Sequence, residues 1–549
     1  MYSNKDSVNI LTVLLVAHGI RHAVVCPGSR NAPIVHNFNE CPDIECHPVT
    51  DERSAAFFAL GIAQATDQPV AVCVTSGTAL LNVAPAVAEA HYQHQALVVI
   101  SADRPAQWIG QLDGQTLQQP GALQPWVEKS VDLPEDNPYY ANRLVNEALI
   151  EATADHHPCV HINVPLSEPL FQFDVQELPQ QRVIRRYTPT ADYSCLPQAL
   201  LDDFLQAQRP LIVFGQLSPH RFHYEGVDHL FSHVIVLNEA LAPFTSVSHF
   251  EHFLGTDAQP PHPDFILHVG DAIVSKRLKA YLRQAHQART WRINVTGQVE
   301  DTFLNLRGIV KGDAERLLQS LDNKLAAYRT THHDESRARY RRQWLSALSK
   351  HSVAAPDAPS TPSGKPFSEA SVVAAFEQAL ASYALPYHVH YANSTPIRLA
   401  NDYAHGHPVW CNRGVNGIDG SLSTAAGFAA ALSKDSPASK ETVFCVIGDL
   451  SFFYDQNALW NQQLTGNLRI LLLNNGGGAI FQQLKGLEQS PACPRLVAAT
   501  HHATAEGICH QNDIYYQLVT RPADLPSALD LLLHADLSRP MVLEALFQS

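Results

Sequence analysis

Residues 443–481 read VFCVIGDLSFFYDQNALWNQQLTGNLRILLLNNGGGAIF and constrain the fold more than any other stretch. A short apolar run, 443–447, breaks at Gly448-Asp449. An amphipathic stretch with Phe452, Leu459 and Leu464 follows, and a second apolar run, 470–473, ends at Asn474-Asn475. Two short apolar runs flanking a helical stretch predict a βαβ unit, whose strands end on the same edge of a parallel sheet. Open α/β sheets bind ligands at that edge. There a carboxylate after one strand and an amide after the next can share one hard cation, with oxygens that suit Mg²⁺. Gly476, Gly477 and Gly478 allow backbone to approach a ligand closely. Ordinary loop punctuation after two buried strands would leave the same letters, so the rest of the chain has to decide.

That rest predicts an α/β protein of three domains, each a parallel sheet flanked by helices. In the first, residues 1–180, strands are expected at 23–26, 70–74, 97–100 and 159–164, with helices at 54–65 and 79–90. The second, 195–345, carries four apolar runs: PLIVFG, VIVLNE, DFILHVG and WRINV. Residues 351–366, rich in Pro, Ser and Ala, read as a linker to the third domain, 367–549. The outer domains look like distant copies: Val24-Val25-Cys26 parallels His388-Val389-His390, 70–90 parallels 443–459, and HINVP parallels MVLEA.

At 549 residues, 45% hydrophobic and 17% charged, the chain is ordinary globular material too long for one core. A net charge of −15 without a long basic run argues against nucleic acid and against anionic membranes. Ten scattered cysteines without a C-x-x-C pair argue for a reducing compartment without structural zinc. The opening residues lack a signal-peptide build, and no apolar run is long enough to span a bilayer, so a cytoplasmic protein without stable membrane insertion is expected.

The Gly-Asp pair followed by Asn-Asn a helix and a strand later resembles the signature of thiamine-diphosphate-dependent enzymes. The resemblance implies the thiamine-diphosphate-binding fold in the first and third domains. It also implies Mg²⁺, or Mn²⁺ in its place, held by Asp449, Asn475 and the Gly477 carbonyl. Gly448, Leu450 and Ser451 would line the diphosphate, with Leu450 standing where the family usually has Gly. A glutamate after a first-domain strand activates the cofactor in this family, and Glu52 in VTDERSAA matches it. Taken alone, Asp51 and Glu52 would be an N-cap and a first-turn acid. Asn416, Gly417 and Ile418 match the segment that contacts the pyrimidine and wedges an apolar side chain between the two rings. Since the acid and the metal site lie on different domains, the resemblance implies at least a homodimer, a tetramer being left open.

Gly28-Ser29-Arg30, Ser101-Ala102-Asp103-Arg104-Pro105, Gly114-Gln115-Thr116, Ser275-Lys276-Arg277-Leu278, Asn393-Ser394-x-x-x-Arg398 and Arg413-Gly-x-x-Gly-Ile-Asp-Gly occur together. With Gly448-Asp449-Leu450-Ser451 they resemble the 2-succinyl-5-enolpyruvyl-6-hydroxy-3-cyclohexene-1-carboxylate synthases of menaquinone biosynthesis. The resemblance implies a transferase, a carboligase that decarboxylates 2-oxoglutarate and adds the succinyl carbanion equivalent to isochorismate. Both substrates carry two carboxylates, so an acidic protein needs a locally positive pocket. Arg30, Arg104, Lys276, Arg277, Arg398 and Arg413 are the candidate cations, with Ser29, Gln115, Asn393 and Ser394 as polar partners. Ser394 and Arg398 are assigned to the distal carboxylate of 2-oxoglutarate, Arg30, Arg104, Lys276 and Arg277 to isochorismate, and Arg413 to either. His501 and His502 are too few for a metal site. Rival readings are another thiamine-diphosphate-dependent decarboxylase or ligase, such as an acetolactate synthase, and a non-catalytic dimer on the same scaffold.

Overall fold

The computed structural model describes residues 1–187, 196–223, 225–244, 247–350, 367–433, 441–482, 484–487 and 489–547; the predicted linker, 351–366, lies outside the described residues. The first sheet comprises β1 (His22–Val25), β2 (Glu45–Pro48), β3 (Val70–Val74), β4 (Leu97–Asp103), β5 (Lys129–Asp132) and β6 (Val160–Pro165), ordered β2-β1-β3-β4-β6-β5. The second comprises β7 (Pro210–Phe214), β8 (Ile235–Asn238), β9 (Phe265–Val269), β10 (Arg289–Asn294) and β11 (Leu306–Lys311), ordered β11-β10-β9-β7-β8. The third comprises β12 (Tyr387–Tyr391), β13 (Val409–Trp410), β14 (Thr442–Gly448), β15 (Leu468–Asn474), β16 (Tyr515–Val519) and β17 (Met541–Leu546), ordered β13-β12-β14-β15-β17-β16. Every pairing within the three sheets is parallel.

Renumbered from its own first strand, the third sheet has the same order as the first. β1 corresponds to β12, β3 to β14 and β6 to β17, the pairs that the sequence places in parallel. Central strands such as β3, β4, β9 and β15 are buried along their whole length, which is why they read as mostly apolar runs. The edge strands β2, β5, β11 and β16 are only partly buried and carry no such run, so the sequence reading missed them. The helix expected at 79–90 divides at Val83, with Pro85 at the start of the second piece, Ala84–Tyr92. The amphipathic stretch after Asp449 is also two pieces, a short helix Asp449–Tyr454 and a 3₁₀ turn Gln456–Trp460.

One hydrophobic core joins the first and third domains. Its centre is the contact between helix Glu52–Thr66 and helix Ser421–Leu432. Ser54 Oγ meets Ser423 Oγ at 2.8 Å, and the backbones close in at two glycines. A Cβ on Gly61 would stand 1.9 Å from the Thr424 carbonyl oxygen, and one on Gly427 would stand 1.9 Å from that of Phe58. Neither obstacle is a flexible side chain, so Gly61→Ala or Gly427→Ala must drive the helices apart. A loss of at least about 1–3 kcal/mol is expected for either, read from urea unfolding monitored by circular dichroism. An unchanged midpoint would show that the contact is looser than its geometry.

Candidate active site

The carboxyl ends of β14 and β15 lie side by side, with Gly448 paired to Leu473. Asp449 opens the short helix after β14, and its carboxylate is buried. Leu450 N–H donates to Asp449 Oδ1 at 2.7 Å, and Gly477 N–H donates to Oδ2 at 2.9 Å. The Asn475 amide is oriented by its own bonds: Nδ2 donates to Glu369 Oε1 at 3.1 Å, while Oδ1 accepts from Gly477 N–H at 3.1 Å. Burial raises the Asp449 carboxyl above the usual carboxylate range, against the lowering by the two backbone N–H groups. Burial also raises Glu369, which the Asn475 bond offsets and the Asp449 charge reinforces. Two neighbouring acids and an amide oxygen form an oxygen-rich, electron-rich pocket. That donor set fits one hard divalent cation such as Mg²⁺. Gly448 faces open space, since a Cβ there would meet nothing within 4 Å.

On the first domain, Asp51 caps helix Glu52–Thr66 by accepting from Ser54 N–H at 3.1 Å, and Glu52 is the first helical residue. The bland reading of Asp51 is therefore correct, while Glu52, half-exposed, lies near the end of β1, where its charge helps burial raise the Cys26 thiol. Its neighbours are tied to the third domain. Arg53 Nη2 donates to the Tyr454 carbonyl at 2.7 Å, and Asn457 Nδ2 donates to Asp51 Oδ2 at 2.6 Å. These ties grip the end of the helix that Asp449 begins and the 3₁₀ turn that follows it.

The loop carrying Asn416, Gly417 and Ile418 is held from both domains. Glu89, buried on helix Ala84–Tyr92, accepts from Gly414 N–H at 2.6 Å and Val415 N–H at 2.7 Å. Asn393 Nδ2 donates to the carbonyls of Asn412 and Gly417, and its Oδ1 accepts from Arg413 Nη1 at 3.0 Å. Asn393 thus shapes this loop rather than pointing a free amide at a substrate. Asn416 adopts a left-handed φ of 70°, the Ile418 carbonyl accepts from Ser451 Oγ, and the Ile418 side chain is 40% exposed despite being apolar.

The six candidate cations form two groups in one chain. Arg30, buried, donates from Nη1 to the Leu166 carbonyl at 2.8 Å and pairs with Glu168 at 3.1 Å. Arg104 donates from Nε to the Gly114 carbonyl at 3.0 Å, next to exposed Gln115, and pairs with Asp113 at 3.2 Å. Ser29 is exposed beside Arg30. Lys276 and Arg277 open helix Lys276–Arg283, both exposed, and Arg277 Nη1 donates to the Glu251 carbonyl. They share their surroundings with Arg398 and Arg413. Burial and then the Arg413 charge lower Arg398, while burial, Arg413 and more weakly Lys276 lower Lys279. Ser394, with φ 74°, starts helix Thr395–Tyr403, which carries Arg398.

The chain matches the family profile described as thiamine pyrophosphate enzyme, N-terminal TPP binding domain, over residues 6–127. It is 43% identical over 562 residues to the 2-succinyl-5-enolpyruvyl-6-hydroxy-3-cyclohexene-1-carboxylate synthase of Bacteroides fragilis, covering 99% of this chain and 96% of the relative. The synthases of Phocaeicola vulgatus (40%, 99% and 96% covered) and Flavobacterium johnsoniae (33%, 96% and 93% covered) match along similar lengths. The chain belongs to this synthase family. In this family member the sequence reading missed four groups that shape the site. Glu369 orients Asn475. His501 Nε2 stands 3.3 Å from Asp449 Oδ2, so a histidine dismissed as a ligand borders the carboxylate instead. Glu89 anchors the 414–415 backbone. Glu239, fully buried and pushed up to about 7 by burial, accepts from the N–H groups of Val274 and Ser275 and fixes the turn ahead of Lys276 and Arg277. Each is an acid or histidine in an unremarkable local sequence whose partner is distant in the chain.

Proposed function

We propose that this chain condenses 2-oxoglutarate with isochorismate, with release of CO₂, to give 2-succinyl-5-enolpyruvyl-6-hydroxy-3-cyclohexene-1-carboxylate, using thiamine diphosphate and Mg²⁺. The supporting observation is the convergence of buried Asp449, half-buried Asn475 and Gly477 at one strand edge, in a chain matched along its length by relatives bearing that name. Asp449 Oδ, Asn475 Oδ1 and the Gly477 carbonyl would hold the metal, and Mn²⁺ could replace it. When bound, thiamine diphosphate supplies the electron sink that decarboxylation requires. Glu52 would hold a proton between its carboxyl oxygen and a pyrimidine ring nitrogen, acting as general acid and base. Ile418, exposed and apolar, would set the cofactor's shape. Arg398 with Ser394 would bind the distal carboxylate of 2-oxoglutarate, and the remaining cations the carboxylates of isochorismate.

The working unit in this proposal is a homodimer. Arg30 and Arg104 lie on the first domain and Arg398 and Arg413 on the third, while Arg53 binds the last residue of helix Asp449–Tyr454 and Asp51 the 3₁₀ turn beyond it. Apolar side chains at Leu81, Tyr92 and Leu112 on the first domain and Val415 and Ile418 on the third are at least 40% exposed. A second copy facing them would bring the first domain of one protomer to the third domain of its partner, each site occurring twice. In this proposal the chain divides into domains 1–180, 195–345 and 367–549, one sheet in each, with helix Glu335–Lys350 running past the second boundary. No helix among the described residues is long and apolar enough to cross a membrane. The nine described cysteines are free, which supports a reducing cytoplasm.

Assaying 2-oxoglutarate against pyruvate, each with isochorismate, tests the substrate assignment. Product with 2-oxoglutarate alone is expected, and turnover of pyruvate alone would transfer the chain to another thiamine-dependent reaction. Arg398→Ala is expected to raise the KM for 2-oxoglutarate about 10–100-fold, the loss of one charge-assisted contact of about 1.5–3 kcal/mol, with a smaller change for isochorismate. The reverse pattern would exchange the two carboxylate pockets.

A further inference from the structure

Away from the cofactor site, the first sheet gathers three metal-ligating side chains that the proposed chemistry does not use. His22 opens β1, and Glu45 and His47 lie on β2, the edge strand beside it. The parallel register pairs His22 with Glu45 and Val24 with His47. Because side chains alternate along a strand, His22, Glu45 and His47 share the sheet face on which Val24 packs with Phe58. His47 is 2% exposed, and its ring lies 6.0 Å from that of Phe58.

The donor atoms converge. His22 Nδ1 and His47 Nε2 are 3.2 Å apart, His47 Nε2 is 3.4 Å from Glu45 Oε1, and His22 Nδ1 is 3.9 Å from Glu45 Oε2. Bonds of about 2.0–2.1 Å from a tetrahedral ion place its ligand atoms about 3.3 Å from one another. The 3.2 and 3.4 Å separations match that edge closely, while the 3.9 Å separation runs to the other oxygen of Glu45, so a turn of the carboxylate must bring a single oxygen to both rings; one donor atom from each residue already lies within 4.8 Å of the others. We propose that His22, Glu45 and His47 form a site for one Zn²⁺-class divalent transition metal ion, with water at the fourth position. Two imidazoles with one carboxylate suit Zn²⁺ or Co²⁺ and not Mg²⁺, which prefers oxygen ligands. The side chains of His22 and Glu45 are 20% and 32% exposed, which gives the ion a route in from solvent.

The ion staples the edge strand to its neighbour just before the catalytic helix. Val49 N–H already donates to the Val25 carbonyl at 3.1 Å, and Thr50 and Asp51 then lead directly to Glu52. The same distances would also arise from two imidazoles hydrogen-bonded beside a carboxylate, and metal uptake separates the two.

The test titrates Zn²⁺ by calorimetry into protein held in excess thiamine diphosphate and Mg²⁺, comparing the parent with His22→Gln and Glu45→Gln. The parent is expected to take up one Zn²⁺ per chain that each variant binds at least about tenfold more weakly. The variants should melt at the parent's temperature when no Zn²⁺ is present. Co²⁺ added to the parent should give the visible absorption of a four-coordinate ion. Equal Zn²⁺ uptake by parent and variants, or a parent without that absorption, overturns the proposal, the second whether or not a variant folds. Loss of the Zn²⁺ site in the variants with Mg²⁺-dependent cofactor binding unchanged separates this site from the one at Asp449.

Discussion

Glu52→Gln is expected to lower kcat by about 10²–10⁴-fold while leaving the affinity for thiamine diphosphate nearly unchanged. Gln has the shape of Glu and keeps a hydrogen-bonding group at the start of helix Glu52–Thr66, so the helix and its Asp51 cap persist. What it lacks is an ionisable carboxyl able to hold and return a proton. The hydrogen bonds that join this helix and its cap to the third domain run through Asp51, Arg53 and Ser54, and its close packing there centres on Phe58 and Gly61. The loss should therefore appear in turnover and not in folding. Steady-state kinetics beside calorimetric cofactor binding separates the two, and a near-normal rate would remove Glu52 from the chemistry.

Asp449→Ala should act on the opposite quantity. Its carboxylate is buried, raised by that burial, and next to a second raised acid, Glu369. In the metal-free protein, removing such a group relieves unfavourable charge burial, so the melting temperature is expected to hold or rise slightly. With Mg²⁺ and thiamine diphosphate present, the variant should lose a ligand oxygen. Displacing groups that merely orient ligands costs about 10–100-fold in metal affinity, so losing the ligand itself should weaken Mg²⁺-dependent cofactor binding by more than about 100-fold. The opposite signs with and without metal distinguish a metal ligand from a structural acid. Unchanged cofactor affinity would contradict the assignment.

Much of this was legible in the sequence because it was local. A strand buried on both faces is mostly apolar, so β3, β4, β9, β14 and β15 declared themselves, and the Gly-Asp and Asn-Asn pairs at two of their ends marked the strand edge. Edge strands have one side free of that demand: β2 reads ECHP and β16 reads YYQLV, neither a recognisable run. Glu369, Glu89 and Glu239 were illegible for a related reason. Each satisfies backbone or amide groups brought near only by the packing of separate elements, and a glutamate in a helix or at a strand end looks the same whether or not such a partner exists. His22, Glu45 and His47 meet only because β1 and β2 pair in one register.

The proposed sharing of each site between two protomers is tested most directly by a hybrid dimer. Glu52→Gln and Asp449→Ala chains carrying different tags are co-expressed, and the mixed dimer is purified and assayed. If the acid of one protomer serves the metal site of its partner, the hybrid holds one doubly defective site and one intact site, and about half the parental activity is expected, far above either mutant homodimer. A hybrid as inactive as its parents would contradict the account.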